Sequence, residues 1–259
     1  MDIRAYNRQA WNFQVQHKNQ WTIPVDSEQI AAARQGRWSL LLTETKAVPR
    51  EWFPANLHGI KILCLASGGG QQGPILAATG AVVTVFDNSP EQLAQDRLVA
   101  GREGLAIETI EGDMADLSTI HDETFDLVYH PVSNLFVPQV EPVWQEAYRV
   151  LKPGGILLAG FMNPIWYIFD IDVMDNEKRL EVRYHIPYSD VADLPPERLQ
   201  RYIEENVPLE CGHSLDALLG SQARAGFAIT GFYEDIAPWS ILSEYIPSYI
   251  ATRAVKLIF

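Results

Sequence analysis

Asp87 stands 19 positions after Gly68, and the chain between and just before them has the composition of a nucleotide-type site. An apolar run (Ile60, Ile62, Leu63, Cys64, Leu65) meets the turn Ser67-Gly68-Gly69-Gly70-Gln71-Gln72-Gly73, and a second apolar run, Ala81 to Phe86, closes on Asp87. Glycines lack the side chain that would keep a ligand away from backbone N–H groups, and the positive end of a following helix favours an anionic group there. A carboxylate about 20 residues on is placed to accept hydrogen bonds from a ribose diol. The plain alternative is a tight strand-to-helix turn that binds nothing.

This chemistry requires a strand before the turn, a helix after it and a second strand ending on Asp87. The expected helix is Pro74 to Thr79, stopped by Gly80. Ser89, Pro90 and Gln92 form an N-cap, a first-turn proline and a capping-box partner, so another helix runs from there through Leu93, Ala94 and Leu98 to about Gly101. Ile107 to Glu111 reads as a third strand ending on Gly112-Asp113-Met114, and Phe125 to Tyr129 as a fourth ending on His130. Val140, Val143, Trp144, Ala147, Val150 and Leu151 share one helical face. Lys152-Pro153-Gly154-Gly155 then reads as a type II turn feeding a fifth strand, Ile156 to Phe161. Alternating strands and helices predict an α/β fold with a doubly wound parallel sheet.

The flanks are read more coarsely, within a single domain spanning 1–259. Residues 1–55 are a helical cap: one amphipathic helix over residues 2–18, and a second capped by Asp26 with Gln29 and stopped at Gly36. Residues 56–161 are the core. Residues 162–213, rich in proline, aromatics and charge, are an insertion over the carboxyl edge of the sheet, with one helix near Pro196 to Glu205. Residues 214–259 supply a helix, Leu215 to Ala225, and a hairpin-like pair of strands, Phe227 to Phe232 and Ala251 to Phe259.

Composition bounds the function. The 259 residues are 47% hydrophobic and carry a formal charge of −13, with no lysine–arginine cluster, which disfavours a nucleic-acid partner and favours a small molecule. Cys64 and Cys211 form neither a disulfide framework nor a metal set, and no metal is expected. The longest apolar stretch, Ile156 to Phe169, is broken by Asn163 and Pro164, and the amino terminus has no signal-peptide pattern. A cytoplasmic protein without a membrane partner is expected.

Gly68, Gly70 and Gly73 satisfy the G-x-G-x-x-G dinucleotide fingerprint, so an NAD(P)-dependent oxidoreductase is one reading of the loop, and a cofactor-binding protein without catalysis is another. The ordered set is more specific. The glycine loop, Asp87, Gly112-Asp113-Met114, Phe125-Asp126-Leu127 and Arg149-Val150-Leu151-Lys152-Pro153-Gly154-Gly155 resemble the motifs of class I S-adenosylmethionine-dependent methyltransferases. The chain is most similar to their small-molecule branch, which includes quinone-biosynthesis enzymes. The resemblance implies a seven-stranded Rossmann-like sheet with an antiparallel last strand, S-adenosyl-L-methionine as cofactor and a small-molecule methyl acceptor.

The resemblance also implies roles. Gly68 and Gly70 hold the methionine portion of the cofactor, Asp87 the ribose hydroxyls and Asp113 the adenine amine, with Asn88 and Met114 flanking the ring. Ala66, Ser67, Gln71, Gln72 and His130 complete the expected cofactor set. Ala66 stands where the family has its first loop glycine, and Cys64 where it has an acid; Gln71 and Gln72 are an unusual continuation that can reach the cofactor carboxylate. Because the fourth strand's end faces the transferred methyl in this family, His130 is the expected general base, and Ser133 and Asn134 are expected to orient the acceptor. Tyr6, Trp11 and Trp21 are expected on an amino-terminal lid. Asn163-Pro164-Ile165-Trp166 is similar to an amino-group methyltransferase motif, but it follows the wrong strand and lacks the second proline, so it is read as a loop.

Overall fold

Seven strands form one sheet in the order β3-β2-β1-β4-β5-β9-β8. In the computed structural model, which describes residues 1–258, β1 (Lys61–Leu65) is buried from its second residue on and pairs in parallel with β2 (Val82–Asp87) and β4 (Phe125–His130). β3 (Ile107–Glu111) extends the sheet beyond β2, and β5 (Leu151–Met162) beyond β4. β8 (Phe227–Asp235) and β9 (Tyr249–Lys256) are the expected late pair: β9 lies antiparallel between β5 and β8, which makes it the one reversed strand of the seven. The expected strand Ala251 to Phe259 therefore begins and ends earlier, and its last residue, Phe259, lies outside the described residues.

Helices α3 (Gln72–Ala78), α4 (Pro90–Glu103) and α5 (Glu141–Val150) link these strands. Two departures from the expected boundaries have local causes. α4 passes through Gly101 and stops at Gly104, which takes the left-handed conformation (φ 65°) suited to a helix end. β5 begins at Leu151 and absorbs the turn: Phe125 faces Leu151 but Leu127 faces Ile156, so Lys152–Gly155 bulge out, with Gly154 at φ 79°.

Before the sheet come α1 (Ile3–Gln16), capped by Asp2, and α2 (Ser27–Arg34), opened by the Asp26–Gln29 capping box. After β5 the chain forms β6 (Tyr188–Ser189), α6 (Asp190–Asp193), α7 (Pro196–Glu204) and β7 (Cys211–Gly212), with β6 and β7 paired as a small separate ribbon. The expected helix after residue 214 is a π-helical turn, Asp216–Gly220, running into α8 (Ser221–Ala225).

Apolar side chains fill both faces of the sheet, one around Ile30, Leu42, Phe53 and Tyr129, the other around Phe86, Trp144 and Phe161. A third cluster, around Trp166, Tyr167, Met174 and Tyr249, includes residues of the 162–213 segment. No helix among the described residues is long and apolar enough to cross a membrane.

Candidate active site

A cavity of about 1150 Å³ opens at the carboxyl ends of the strands, where the sheet order reverses between β1 and β4. In open α/β sheets that crevice is the usual ligand site. Its floor includes Ala66, Ser67, Gly68, Asp87 and Gly112-Asp113-Met114; Arg4 and Trp11 of α1, together with Trp21, cover it.

The loop after β1 is held from two sides. Ala66 adopts a left-handed conformation (φ 47°) uncommon for a residue with a side chain, and its N–H donates to the Phe86 carbonyl at 2.7 Å. The Gly68 N–H donates to Asp87 Oδ2 at 2.9 Å and the Ser89 N–H to Asp87 Oδ1 at 2.9 Å, so both carboxylate oxygens are held by backbone donors and the group keeps further acceptor capacity. A Cβ on Gly68 would lie 2.7 Å from Gln92 Cβ and 3.0 Å from Asp87 Oδ2, so glycine is required there by contact. Burial raises the proton affinity of Asp87, and the N–H groups of Ser89, Gly68 and Asn88 pull part of that back.

The second anchor is Asp96, a residue the motif reading passes over. From α4 its Oδ2 accepts from the Gly69 N–H at 3.1 Å, and the Gly70 N–H also reaches the carboxyl. Oδ1 is buried without a partner, and burial pushes the carboxyl up to about 8. The same motif conceals Gln92: its backbone N–H takes the Ser89 cap at 3.1 Å, while its side chain lines the cavity with Oε1 buried and unpartnered.

Asp96 gives the fold a pH signature. Its ordinary value is 3.8 and its folded value about 8, so between these the folded chain holds one proton more than the unfolded chain, and stability falls as pH rises. His130 acts oppositely between about 4 and 6.5, because burial lowers its folded value and the unfolded chain takes up the proton first. Above pH 6.5 Asp96 is no longer offset by His130. In urea unfolding at pH 6.5 and 8, Asp96→Asn should therefore lose less stability than the parent, by up to about 1.4 kcal/mol per pH unit. Equal losses in the two proteins would refute the buried-acid account.

Several expected site residues face elsewhere. His130 is fully buried and does not line the cavity; its Nδ1–H donates to the Leu65 carbonyl at 2.9 Å and its ring meets Trp144 edge-on at 5.6 Å. Burial holds it down at about 4, against the raising effect of that bond, so it is a neutral core histidine whose position gives a general base no access to an acceptor. Asn134, also buried off the cavity, donates from Nδ2 to the Gly160 carbonyl at 2.7 Å. Gly70 packs against Pro24 and Gln95, and its carbonyl accepts from the Val25 N–H. Tyr6 points away, with its hydroxyl against the carbonyls of Tyr202 and Val207.

The remaining expected residues do border the cavity. Asn88 lines it but donates its amide to the Arg4 carbonyl at 3.0 Å, and Asp113 Oδ2 lies 3.6 Å from Arg4 Nε, so α1 is fastened over the ends of β2 and β3. Gln71 donates to the Gln20 and Ile23 carbonyls, whereas Gln72 accepts from Ser67 Oγ and, among the described residues, its amide N–H₂ group donates to none. Met114, Ser133, Trp11 and Trp21 also line the space, Ser133 with its hydroxyl bonded to the Pro131 carbonyl.

The far half of the cavity is bordered by residues that sequence reasoning did not single out: Thr43, Glu44, Met162, Glu210, Trp239 and Tyr249. Residues 40–44 form a strap across the strand ends, where the Leu42 carbonyl accepts from the Val132 N–H. Asp235, at the end of β8, pins it by accepting from Thr43 Oγ1 (2.7 Å), the Thr45 N–H (2.7 Å) and the Lys46 N–H (2.9 Å). Burial alone would raise Asp235; these donors and the Thr45 hydroxyl outweigh it and hold the carboxyl at about 2. Asn163 ties its loop to the segment before β9, accepting from the Ile165 N–H and donating to the Pro247 carbonyl.

Comparison with known proteins agrees with this architecture. The family model described as "Methyltransferase domain" matches residues 63–159. The chain is 51% identical over 253 residues to a Bacillus subtilis (strain 168) protein named uncharacterized methyltransferase YbaJ, covering 98% of both chains. Among solved structures, an S-adenosylmethionine dependent methyltransferase from Mesorhizobium loti superposes with a TM-score of 0.59 at 19% identity, over 80% of this chain and 94% of that one. A similar protein from Listeria monocytogenes, a putative S-adenosylmethionine dependent methyltransferase, gives 0.59 at 16% identity, over 81% and 95%. The two structural likenesses are likenesses of fold.

Proposed function

This chain belongs to the class I S-adenosylmethionine-dependent methyltransferases, and from that membership we propose that its cavity binds S-adenosyl-L-methionine along the floor and a small-molecule acceptor in the far half. The observation that carries the cofactor assignment is the Asp87 carboxylate, held on the cavity wall by the Gly68 and Ser89 N–H groups with acceptor capacity to spare for a ribose diol. The glycine cradle that a Cβ at Gly68 would fill and the orphaned Gln92 Oε1 fit the same ligand. Gln72, with its free amide, suits the cofactor carboxylate, and Asp113 and Met114 the adenine end. Bound there, the sulfonium supplies an electrophilic methyl group for in-line displacement.

What the chain itself supplies is alignment and exclusion of water. In this reading residues 1–55 are a cap and 162–213 an insertion on one methyltransferase domain. Within the cap, α1 acts as a lid: Arg4 pairs with Asp113, Asn12 Oδ1 accepts from Ser89 Oγ at 2.7 Å, and Asn7 exchanges bonds with the backbone of Leu209. Opening requires these polar contacts to be released together with the Tyr6 hydroxyl's bonds to the Tyr202 and Val207 carbonyls, the Asn88–Arg4 bond and the packing of Trp11 on Phe136.

One experiment tests ligand and lid together. S-adenosylhomocysteine at about 100 times its dissociation constant should add about 2.7 kcal/mol of stability, a rise of about 5–10 °C in melting temperature, and should slow amide exchange from Tyr6 to Trp21. NADH, the ligand expected of an oxidoreductase, should do neither. Stabilisation by NADH alone would overturn the methyltransfer reading, and unchanged exchange with bound S-adenosylhomocysteine would overturn the lid.

A further inference from the structure

The acceptor half of the cavity has an unusual charge balance. Glu44 and Glu210 both line it, with Asp175 also on the cavity wall, and the one basic residue on that wall among the described residues, Arg4, sits at the opposite end against Asp113. Nor does a cation reach Glu210 from behind. Its immediate neighbours are Asp190, whose Oδ2 accepts from the Glu210 N–H at 2.7 Å, and Tyr167, whose hydroxyl donates to Glu210 Oε2 at 3.0 Å. Arg198, whose charge acts on Asp190 and not on Glu210, is paired with Asp170 at 3.0 Å and Asp172 at 3.1 Å. Glu44 has the Tyr249 hydroxyl at 3.3 Å and no cationic partner among the described residues. Aromatic side chains line the same space: Trp166 and Trp239, edge-to-face at 5.4 Å, and Tyr249, with Trp239 and Tyr249 both hydrogen-bonding to Glu44.

Carboxylates without counterions, walled by indole and phenol rings, form an environment that an organic cation relieves and an anion cannot enter. A carboxylate or phenolate acceptor would meet like charge wherever either acid is ionised, and a neutral alcohol cannot draw the acids into their ionised form as an ammonium ion does. We infer that the acceptor is an amine carried on an apolar body, bound as its ammonium ion and deprotonated by Glu210, with Glu44 adding to the negative field of the same cavity wall; this deepens, and rests on, the methyl-transfer reading above. Both acids have raised proton affinity, Glu210 to about 8 by burial and by Asp190, and Glu44 by burial. That is the state expected of carboxyls awaiting a cation, and it suits Glu210 to hold a proton taken from nitrogen.

The step balances. One ammonium N–H proton passes to a Glu210 carboxylate oxygen. The freed nitrogen lone pair then forms the N–C bond to the methyl group while the C–S bond breaks with its electron pair left on sulfur. Nitrogen carries the positive charge away as a methylated ammonium, and Glu210 returns its proton to solvent. The assignment owes nothing to the Asn163 motif, whose side chain is committed to the Ile165 N–H and the Pro247 carbonyl.

The test uses the full chain saturated with S-adenosylhomocysteine, titrated in a calorimeter with 2-phenylethylamine and tryptamine against their alcohol counterparts, 2-phenylethanol and tryptophol. An amine should bind about tenfold or more tightly than its alcohol, the preference should largely disappear in Glu210→Gln and weaken in Glu44→Gln, and both variants should keep the parent's affinity for S-adenosylhomocysteine. Equal affinity for amine and alcohol, saturable binding by neither amine, or amine affinity unchanged in both variants would overturn the amine assignment. Failure of the parent to bind S-adenosylhomocysteine would strike instead at the cofactor reading.

Discussion

Asp87→Ala should weaken S-adenosylhomocysteine binding by more than tenfold. The carboxylate is placed to accept two charge-assisted hydrogen bonds from a ribose diol, each worth about 1.5–3 kcal/mol. It also organises the loop beneath the ligand, since Gly68 and Ser89 donate to its two oxygens. Asp87→Asn separates these effects. Its amide N–H₂ must face either the Gly68 or the Ser89 N–H, donor against donor, so it too should lose affinity although its shape is nearly unchanged. Titration calorimetry reads both variants, and a dissociation constant equal to the parent's in either would remove Asp87 from the cofactor site.

Asp87 was legible because everything that positions it is local: strand, turn, helix and strand follow one another within 28 residues of chain, Ile60 to Asp87. The same alternation, continued along the chain, makes the first five strands parallel, whereas the seven-stranded sheet with its reversed strand was implied by the resemblance to the methyltransferases. His130 shows how a strand-end motif misleads. Side chains alternate along a strand, so His130 shares a face with Val128, and Val128 packs in the cluster that contains Trp144. The ring therefore turns against Trp144, on the face that Val128 shares.

Glu44 and Glu210 had no such signal. They lie 166 positions apart, one on a strap with no regular structure and the other beside a two-residue strand, and only tertiary folding brings them to one cavity. The strap itself depends on Asp235, which reads in sequence as one more acid at the end of a strand. Asp96 was hidden differently: it occupies a helix position that looks like an ordinary charged residue, yet it turns inward to hold the glycine loop and is fully buried.

The largest effect on stability is expected from a single methyl group at Gly160, in β5 beneath the strap. A Cβ there would lie 2.1 Å from the Leu42 carbonyl oxygen, 2.9 Å from its carbon and 3.2 Å from Leu42 Cβ. The first two are backbone atoms, so no side-chain rotation relieves the overlap. The strap cannot easily lift either, because the Leu42 carbonyl accepts from Val132 on one side and Asp235 holds Thr43, Thr45 and Lys46 on the other. Gly160→Ala must break one of these attachments, at a cost of about 3 kcal/mol, which lowers the melting temperature by about 6–12 °C. Displacing residues 40–44 also moves Glu44 from the acceptor wall, so affinity for an acceptor should fall further than affinity for S-adenosylhomocysteine. Gly101→Ala is the control: inside α4, with nothing within 4 Å of the new Cβ, it should stabilise the fold by about 0.4–1 kcal/mol. A Gly160→Ala protein that melts with the parent would mean that the strap does not need the close approach to β5 on which the acceptor half of the cavity is built.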